Sequence, residues 1–284
     1  MNKPKLSVSV GCFGLEWLNG GGYRIIRKEE FFKETLVNMK KLGFDAIEFG
    51  TAGPWNYEEE RENFPWVKTA TKMIRDSGLD FNSAHLPFSL SWYNISSLDE
   101  KERLNSVEHF KWVIDQFDGD LPRLFVVHPD PPPEPGDDRN AKLEQLTKSL
   151  TSICDFSPVP ICVENMVNDG LLNVSSEALK VLNAVPKLYM TVDLNHALYE
   201  NVANYIRKVG SRVKNVHVSD RDEITERHWL PKTGILDFDD IMNALKEINY
   251  SGALSYEVGI GEKYSLEQVK QNYDEITSVF DKNN

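Results

Sequence analysis

Cysteine is scarce in this chain: Cys12, Cys154 and Cys162 are the only three in 284 residues. The number is odd and no two stand in CxxC spacing, so neither a disulfide framework nor a thiolate zinc site is indicated. Small buried hydrophobes in a reducing compartment are the expectation. Long apolar runs are missing as well. The alternating Leu6-Ser7-Val8-Ser9-Val10 is too short and too interrupted for a signal-peptide core, and nothing later approaches a membrane span. A soluble, cytoplasmic protein is expected. Basic residues are outnumbered, 32 Lys and Arg against 44 Asp and Glu, for a formal net charge of −12. That field repels a polyanion, so nucleic acid is not an expected partner without a local basic surface. What remains is a globular composition, 40% hydrophobic and 27% charged, able to bury a substantial core.

Short β-branched, apolar runs recur along the chain, each followed by a longer segment of helical periodicity. Strands are predicted near 6–10, 45–49, 80–85, 123–128, 160–164, 188–193, 213–218 and 253–258. Helices are predicted near 30–41, 59–77, 99–118, 141–156, 175–183, 198–208, 237–248 and 265–280. Gly43 and Gly78 sit where helix-ending glycines belong, and Ser96-Ser97-Leu98-Asp99 offers a helix cap. The Pro131-Pro132-Pro133-Glu134-Pro135-Gly136 stretch must be loop. Strict alternation of eight β and eight α units implies a parallel sheet closed into one (β/α)8 TIM barrel over residues 1–284, with no linker to divide it.

The polar residues at the strand ends carry the functional signal. Strand 3 ends in His85, strand 4 in His128, strand 5 in Glu164 and strand 6 in Asp193, with His196 just beyond. Strand 7 carries His217, its loop carries Asp220, Glu226 and His228, and strand 8 brings Glu257. Of six histidines only His109 falls inside a predicted helix. A barrel gathers all strand C-terminal ends at one mouth, so these residues should converge. Carboxylates and imidazoles packed there repel or lose solvation unless something compensates, and a divalent cation is the simplest compensator. Imidazole with carboxylate and no thiolate suits zinc, manganese or cobalt, and magnesium where carboxylates dominate.

These residues sit in short motifs: Ser-Ala-His85-Leu-Pro, Val-Val-His128-Pro, Cys-Val-Glu164-Asn165, Val-Asp193-Leu-Asn-His196-Ala, Val-His217-Val-Ser-Asp220, His228-Trp-Leu-Pro231 and Tyr-Glu257-Val. In order and spacing they resemble the xylose isomerase-like TIM barrels, which include sugar and sugar-phosphate isomerases and epimerases and the endonuclease-IV-type AP endonucleases. The resemblance implies a principal metal held by Glu164, Asp193, His217 and Glu257. It also implies a small carbohydrate substrate whose proton is moved through an enediolate, with Glu164 and Glu257 as the catalytic pair. His196 is then placed to steady substrate oxygens, and His85 and His128 to touch substrate or a further metal. The endonuclease-like alternative would recruit His85, His128, His196, Glu226 and His228 as additional zinc ligands. Against it stand the acidic charge, a glutamate where that branch usually has aspartate, and Pro-Lys-Thr-Gly in place of its usual Gly-x-Gly turn.

Other features bear on substrate. The glycine-rich segment 17–23 is a mouth loop for which mobility is a better account than phosphate binding. Trp55, Trp92 and Trp229 follow strands 2, 3 and 7 and suit sugar faces or contacts between subunits of a homo-oligomer. Glu48 is a candidate to bind a substrate hydroxyl or pair with a cation, and Arg227 and Lys232 to neutralise a substrate anion.

Overall fold

In the first strand, β1 (Lys5–Gly11), Leu6, Val8 and Val10 enter the main apolar core, while Ser7 and Ser9 alternate with them and so take the opposite face. The same alternation recurs in β2 (Ala46–Gly50), β3 (Asp80–His85), β4 (Leu124–Val127), β5 (Ile161–Glu164), β6 (Leu188–Asp193), β7 (Val213–Val218) and β8 (Ala253–Tyr256), with a one-residue register shift in β3 and in β7. Each strand pairs in parallel with the next, and β1 also pairs with β8, which closes an eight-stranded barrel without edges. This computed structural model describes residues 2–11, 13–17, 23–51, 57–88, 91–129 and 131–281.

Around the barrel run α1 (Glu29–Leu42), α2 (Tyr57–Asn63), α3 (Val67–Ser77), α4 (Glu100–Asp115), α5 (Arg139–Phe156), α6 (Ser175–Ala184), α7 (Val202–Val209), α8 (Phe238–Glu247) and α9 (Leu266–Ile276). Their buried faces and the outward faces of the strands form the main core, in which Phe32, Leu36, Phe49, Leu146, Ile206 and Val216 are almost completely excluded from solvent. A second, small apolar cluster of Leu124, Val126 and Cys162, with Tyr189 against it, is separate from that core. Alternation places these residues in the lumen, near the N-terminal ends of their strands. No helix among the described residues is long and apolar enough to cross a membrane.

The predicted units map onto these elements with three physical adjustments. The expected helix over 59–77 is interrupted by a 3-10 turn, Phe64–Trp66, because Pro65 has no N–H to donate and its ring crowds the preceding turn. The helix expected from 198 begins at Val202, where the Asn201 side chain accepts from the Asn204 N–H and caps the first turn. The last helix ends at Ile276 and tightens into the 3-10 turn Thr277–Phe280. Gly43 and Gly78 end α1 and α3 in the left-handed region, at φ of 81° and 72°. Asp99 caps α4 by accepting from the Glu102 N–H.

Two small antiparallel pairs decorate the mouth. Phe13–Trp17 pairs with Tyr23–Arg27, and residues 18–22 between them, most of the glycine-rich segment, lie outside the described residues, as do Cys12 and Trp55. Asp220–Arg221 pairs with Glu226–Trp229, so the segment after strand 7, expected as a loop, is a short ribbon. Cys154 and Cys162 are buried free thiols, as expected of small hydrophobes.

At the opposite end of the barrel, Asp80 opens β3 and accepts from Lys5 Nζ and, at 2.6 Å, from Arg123 Nε. Burial raises the Asp80 pKa, but the hydrogen bonds and charges of Arg123 and Lys5 outweigh it and hold the carboxyl below its ordinary 3.8. A carboxyl depressed in the folded state stabilises the fold above its unfolded pKa and ceases to do so as pH falls through the folded value. Asp80→Asn should therefore cost about 0.5–1 kcal/mol at pH 7, kept small by solvent screening. Urea midpoints should converge with wild type well below pH 3.8. A gap unchanged across that range would show the ion pairs to be inert.

Candidate metal centre at the barrel mouth

Glu164 and Asp193 are the last residues of β5 and β6, His217 is the penultimate residue of β7, and Glu257 follows β8 directly. Each offers one ligand atom, and these four atoms lie within 4.8 Å of one another. His217 Nδ1 stands 3.2 Å from Glu164 Oε1, 3.4 Å from Glu257 Oε1 and 3.9 Å from Asp193 Oδ2. Although buried, both Glu164 oxygens, Asp193 Oδ2 and His217 Nδ1 take part in no hydrogen bond. Buried polar atoms are seldom left that way, and these face one point, where a single cation could be held by all of them. Three carboxylate oxygens and one imidazole nitrogen form a donor set suited to a divalent cation.

Several of these side chains are oriented by neighbours. The Asn195 N–H donates to Asp193 Oδ1 at 2.6 Å, which turns Oδ2 toward the cluster. Asn165 clasps the end of β6 from both sides, its Oδ1 accepting from the Asp193 N–H and its Nδ2 donating to the Asp193 carbonyl. The electrostatics are those of a crowded site. Burial pushes the Glu257 carboxyl up to about 8, opposed by His217 and reinforced by repulsion from Glu164 and Asp193. Asp193 is also raised, chiefly by burial. Burial works against the charge on Glu164 too, but His217 and His128 overcome it and hold that carboxyl well below its usual range.

The remaining site residues ring a cavity of about 440 Å³ lined by His85, His128, Glu164, His196, Glu226, His228 and Glu257, with Phe88, Met166 and Val167 as apolar wall. His85 Nε2 and His128 Nε2 each lie 3.3 Å from Glu164 Oε2, and His85, His128 and Glu164 form a second group with ligand spacing. His85 Nδ1 donates to the Leu86 carbonyl at 2.8 Å, leaving Nε2 toward the cavity. His196 joins the Asn165 carbonyl through Nδ1 and Glu226 through Nε2, each at 2.9 Å. Burial lowers the His196 pKa, but Asp193, Glu226 and Glu164 together hold it up to about 10. His228 Nδ1 donates to the Glu257 carbonyl at 2.9 Å. Of the ten strand-end and loop residues singled out in the sequence, nine thus meet at one mouth, and the tenth, Asp220, anchors a loop.

Comparison with known proteins agrees with the barrel fold. The family model described as xylose isomerase-like TIM barrel matches residues 36–277. The chain belongs to that family. It is 28% identical over 208 residues to the protein MJ1311 of Methanocaldococcus jannaschii, covering 68% of this chain and 70% of that one. To a D-psicose 3-epimerase of Enterocloster bolteae it is 24% identical over 240 residues, covering 78% and 75%. In three dimensions it resembles the crystal structure of a D-tagatose 3-epimerase-like protein, with a TM-score of 0.73, 22% identity, and 97% of this chain and 99% of that chain covered.

Within this xylose isomerase-like barrel, several roles that the sequence suggested are decided or replaced. Glu48, considered for a substrate hydroxyl or a pairing with a cation, has no exposed surface and takes the second course, facing the His217 imidazole and bonding also to Ser83 and Asn215. Its mark in the sequence was a lone charge between Ile47 and Phe49 at the inward period of β2. Asp220 is buried and gathers the loop after β7, accepting from the N–H groups of Arg221, Gly234 and Leu236. Arg227 is bound to Asp222 at 2.5 Å, and Lys232 lies between Asp239 and Glu275, so neither lines the cavity. Trp92 donates to Glu60 in a side cluster with Tyr93 and His109, and neither Trp92 nor Trp229 is part of the cavity wall.

The close approach of Gly234 to Asp220 is a weak point of this loop. A Cβ on Gly234 would fall 2.2 Å from the Arg221 carbonyl oxygen and 2.5 Å from Asp220 Oδ1. Gly234→Ala should destabilise the protein by about 1–3 kcal/mol and displace the ribbon that carries Glu226 and His228. Thermal unfolding would read the loss. An alanine variant as stable as wild type would show that the loop can give way.

Proposed function

We propose that this chain is a divalent-metal-dependent epimerase or isomerase of a small, uncharged ketose or related polyol ketone. The reading rests on one observation above the others: ligand atoms of Glu164, Asp193, His217 and Glu257 converge at one point, those of the first three buried and without a hydrogen-bond partner, with two glutamates among them from different strands. When bound there, a divalent cation supplies Lewis acidity to a neighbouring carbonyl oxygen. The chain's own groups do the rest. Glu164 and Glu257 approach from β5 and from the end of β8, so a ketose between them meets a carboxylate on each side of the carbon next to its carbonyl. One of the pair, ionised, takes the proton from that carbon, and the other, starting as the carboxylic acid, returns its own proton to the enediolate from the opposite face or at the neighbouring carbon. His196, oriented through Nδ1 by the Asn165 carbonyl, lies in the cavity wall, and a substrate oxygen would take over the Nε2–H that it donates to Glu226. Phe88, Met166 and Val167 cover the apolar side of the substrate.

The absence of charge on the substrate is inferred from the wall. Among the described residues no lysine or arginine lines the cavity, and a phosphate there would face several carboxylates with only imidazoles and the bound cation to offset its charge. The same deficit weighs against the phosphodiester reading, although the second group of His85, His128 and Glu164 leaves room for a further cation. The relatives named above include a D-psicose 3-epimerase, which makes C3 of a ketohexose the first position to examine.

The test is incorporation of deuterium from heavy water at the carbon beside the carbonyl of D-psicose, D-fructose and D-tagatose, followed by NMR. Exchange should require Mn²⁺ or Co²⁺, vanish on treatment with EDTA and return on readdition of metal. Glu164→Gln and Glu257→Gln should each lower the rate by about 10²–10⁴-fold with the barrel intact by circular dichroism. Ketose 6-phosphates should be poorer substrates than the free sugars. Full activity in either variant would remove the acid–base assignment, and zinc-dependent nicking of an abasic duplex without sugar exchange would replace the reading altogether.

A further inference from the structure

Glu48 lies at the centre of the lumen, completely buried, yet it is not part of the cavity wall. In register it stands beside Ser9 on β1 and Ser83 on β3. Three donors point at its carboxylate: Ser83 Oγ at 2.7 Å, Asn215 Nδ2 at 2.9 Å and His217 Nε2 at 3.1 Å, all to Oε2. Oε1 accepts no hydrogen bond in good geometry but lies 3.0 Å from the same His217 Nε2. The contact with His217 spans the lumen from β2 to β7, strands that do not pair.

Burying a carboxylate is costly unless something specific repays it. Ser83 and Asn215 do not require one, because the amide oxygen of a glutamine would accept from them equally well. The carboxylate differs from an amide in presenting two acceptors and no donor to the imidazole. Facing two acceptors, Nε2 has to carry hydrogen. Nδ1 is then the nitrogen left toward Glu164, Asp193 and Glu257, where it has no hydrogen-bond partner. Asn215, two residues before His217 on the same inward face, donates to the same carboxylate and couples its position to β7.

We propose that Glu48 is a positioning residue for the metal centre: anchored by Ser83 and Asn215, it holds His217 in the Nε2–H form and aims the Nδ1 lone pair at the point shared with Glu164, Asp193 and Glu257. This rests on the metal reading given above and adds to it the residue that sets the tautomer and angle of the single nitrogen ligand. The general logic is that of outer carboxylates orienting metal-bound imidazoles.

The experiment is a titration of chelator-stripped protein with Co²⁺ alone, following the visible d–d absorption, for wild type and Glu48→Gln. The variant is expected to bind Co²⁺ about 10–100-fold more weakly and with a shifted band, because its amide can turn an N–H toward the ring and favour the other tautomer. Equal affinity and an identical spectrum would overturn the proposal. A second measurement needs no variant: in wild-type protein labelled with 15N-histidine and loaded with Zn²⁺, NMR should place the proton of His217 on Nε2 and the metal on Nδ1. Metal on Nε2 would overturn the proposal even if Glu48→Gln failed to fold. Wild-type protein that takes up no Co²⁺ at this cluster would remove both this proposal and the reading beneath it. Tight Co²⁺ binding without sugar exchange would remove only the epimerase.

Discussion

Three carboxyl groups and an imidazole bring ligand atoms within 4.8 Å of one another at the end of the lumen, and much of the mouth is arranged around keeping them there. Left alone, such a cluster drives itself toward neutrality, which is why burial and mutual repulsion lift Glu257 and Asp193 while the surrounding imidazoles hold Glu164 down. The opposed shifts belong to neighbours in one site, and they mark groups that cannot all be satisfied by protons and hydrogen bonds alone. The rigid strands prevent the relief that a flexible site would find by letting a carboxylate swing into water. A closed parallel barrel is suited to this because no strand at the site is an edge.

The lumen beneath continues the same theme in milder form. Serines, asparagines and Glu48 take inward positions of β1, β2, β3, β7 and β8, and those of β2, β3, β7 and β8 bond to one another, whereas Ser7 Oγ on β1 has no partner. Asn82 and Ser255 donate to Asn215 Oδ1, while Asn215 and Ser83 donate to Glu48. These bonds give the inward side chains defined directions, which apolar packing alone would leave less tightly set. The stabilising apolar area lies on the other side of the sheet, against the helices. The two faces of each strand thus divide the work: the outward one supplies burial, and the inward one supplies orientation. Tolerance of substitution should divide the same way, with volume mattering outside and hydrogen-bonding capacity mattering inside.

The eight strands were legible because this division writes itself into the sequence with a period of two, as in Leu6-Ser7-Val8-Ser9-Val10, and because the intervening helices carry their own period and stops. The principal cluster was legible for a related reason. Glu164, Asp193, His217 and Glu257 stand at or beside the C-terminal ends of apolar strands, where a solvated side chain has no local justification. Contacts across the lumen were not legible. Nothing local relates Glu48 to His217, 169 residues away, and only closure of the barrel makes them neighbours. The ribbon after β7 was hidden for the opposite reason. Its charged residues read as solvated, whereas the buried carboxylate of Asp220 collects three backbone N–H groups and folds the segment over the mouth. The break at Pro65 could have been read from proline alone.

That ribbon separates two kinds of residue in the site. The strand-end groups are locked by pairing on both sides, so moving any of them disturbs the barrel itself. Glu226 and His228 are held instead by one loop anchor and by contacts with His196 and the Glu257 carbonyl. A loop tied down at so few points can change length or residue without moving β7, and selection for a different substrate would act there first. The pairing of Glu226 with His196 nonetheless links the two kinds. Through that one contact a change in the loop alters the charge beside Asp193, so substrate preference and the electrostatics of the cluster cannot vary independently.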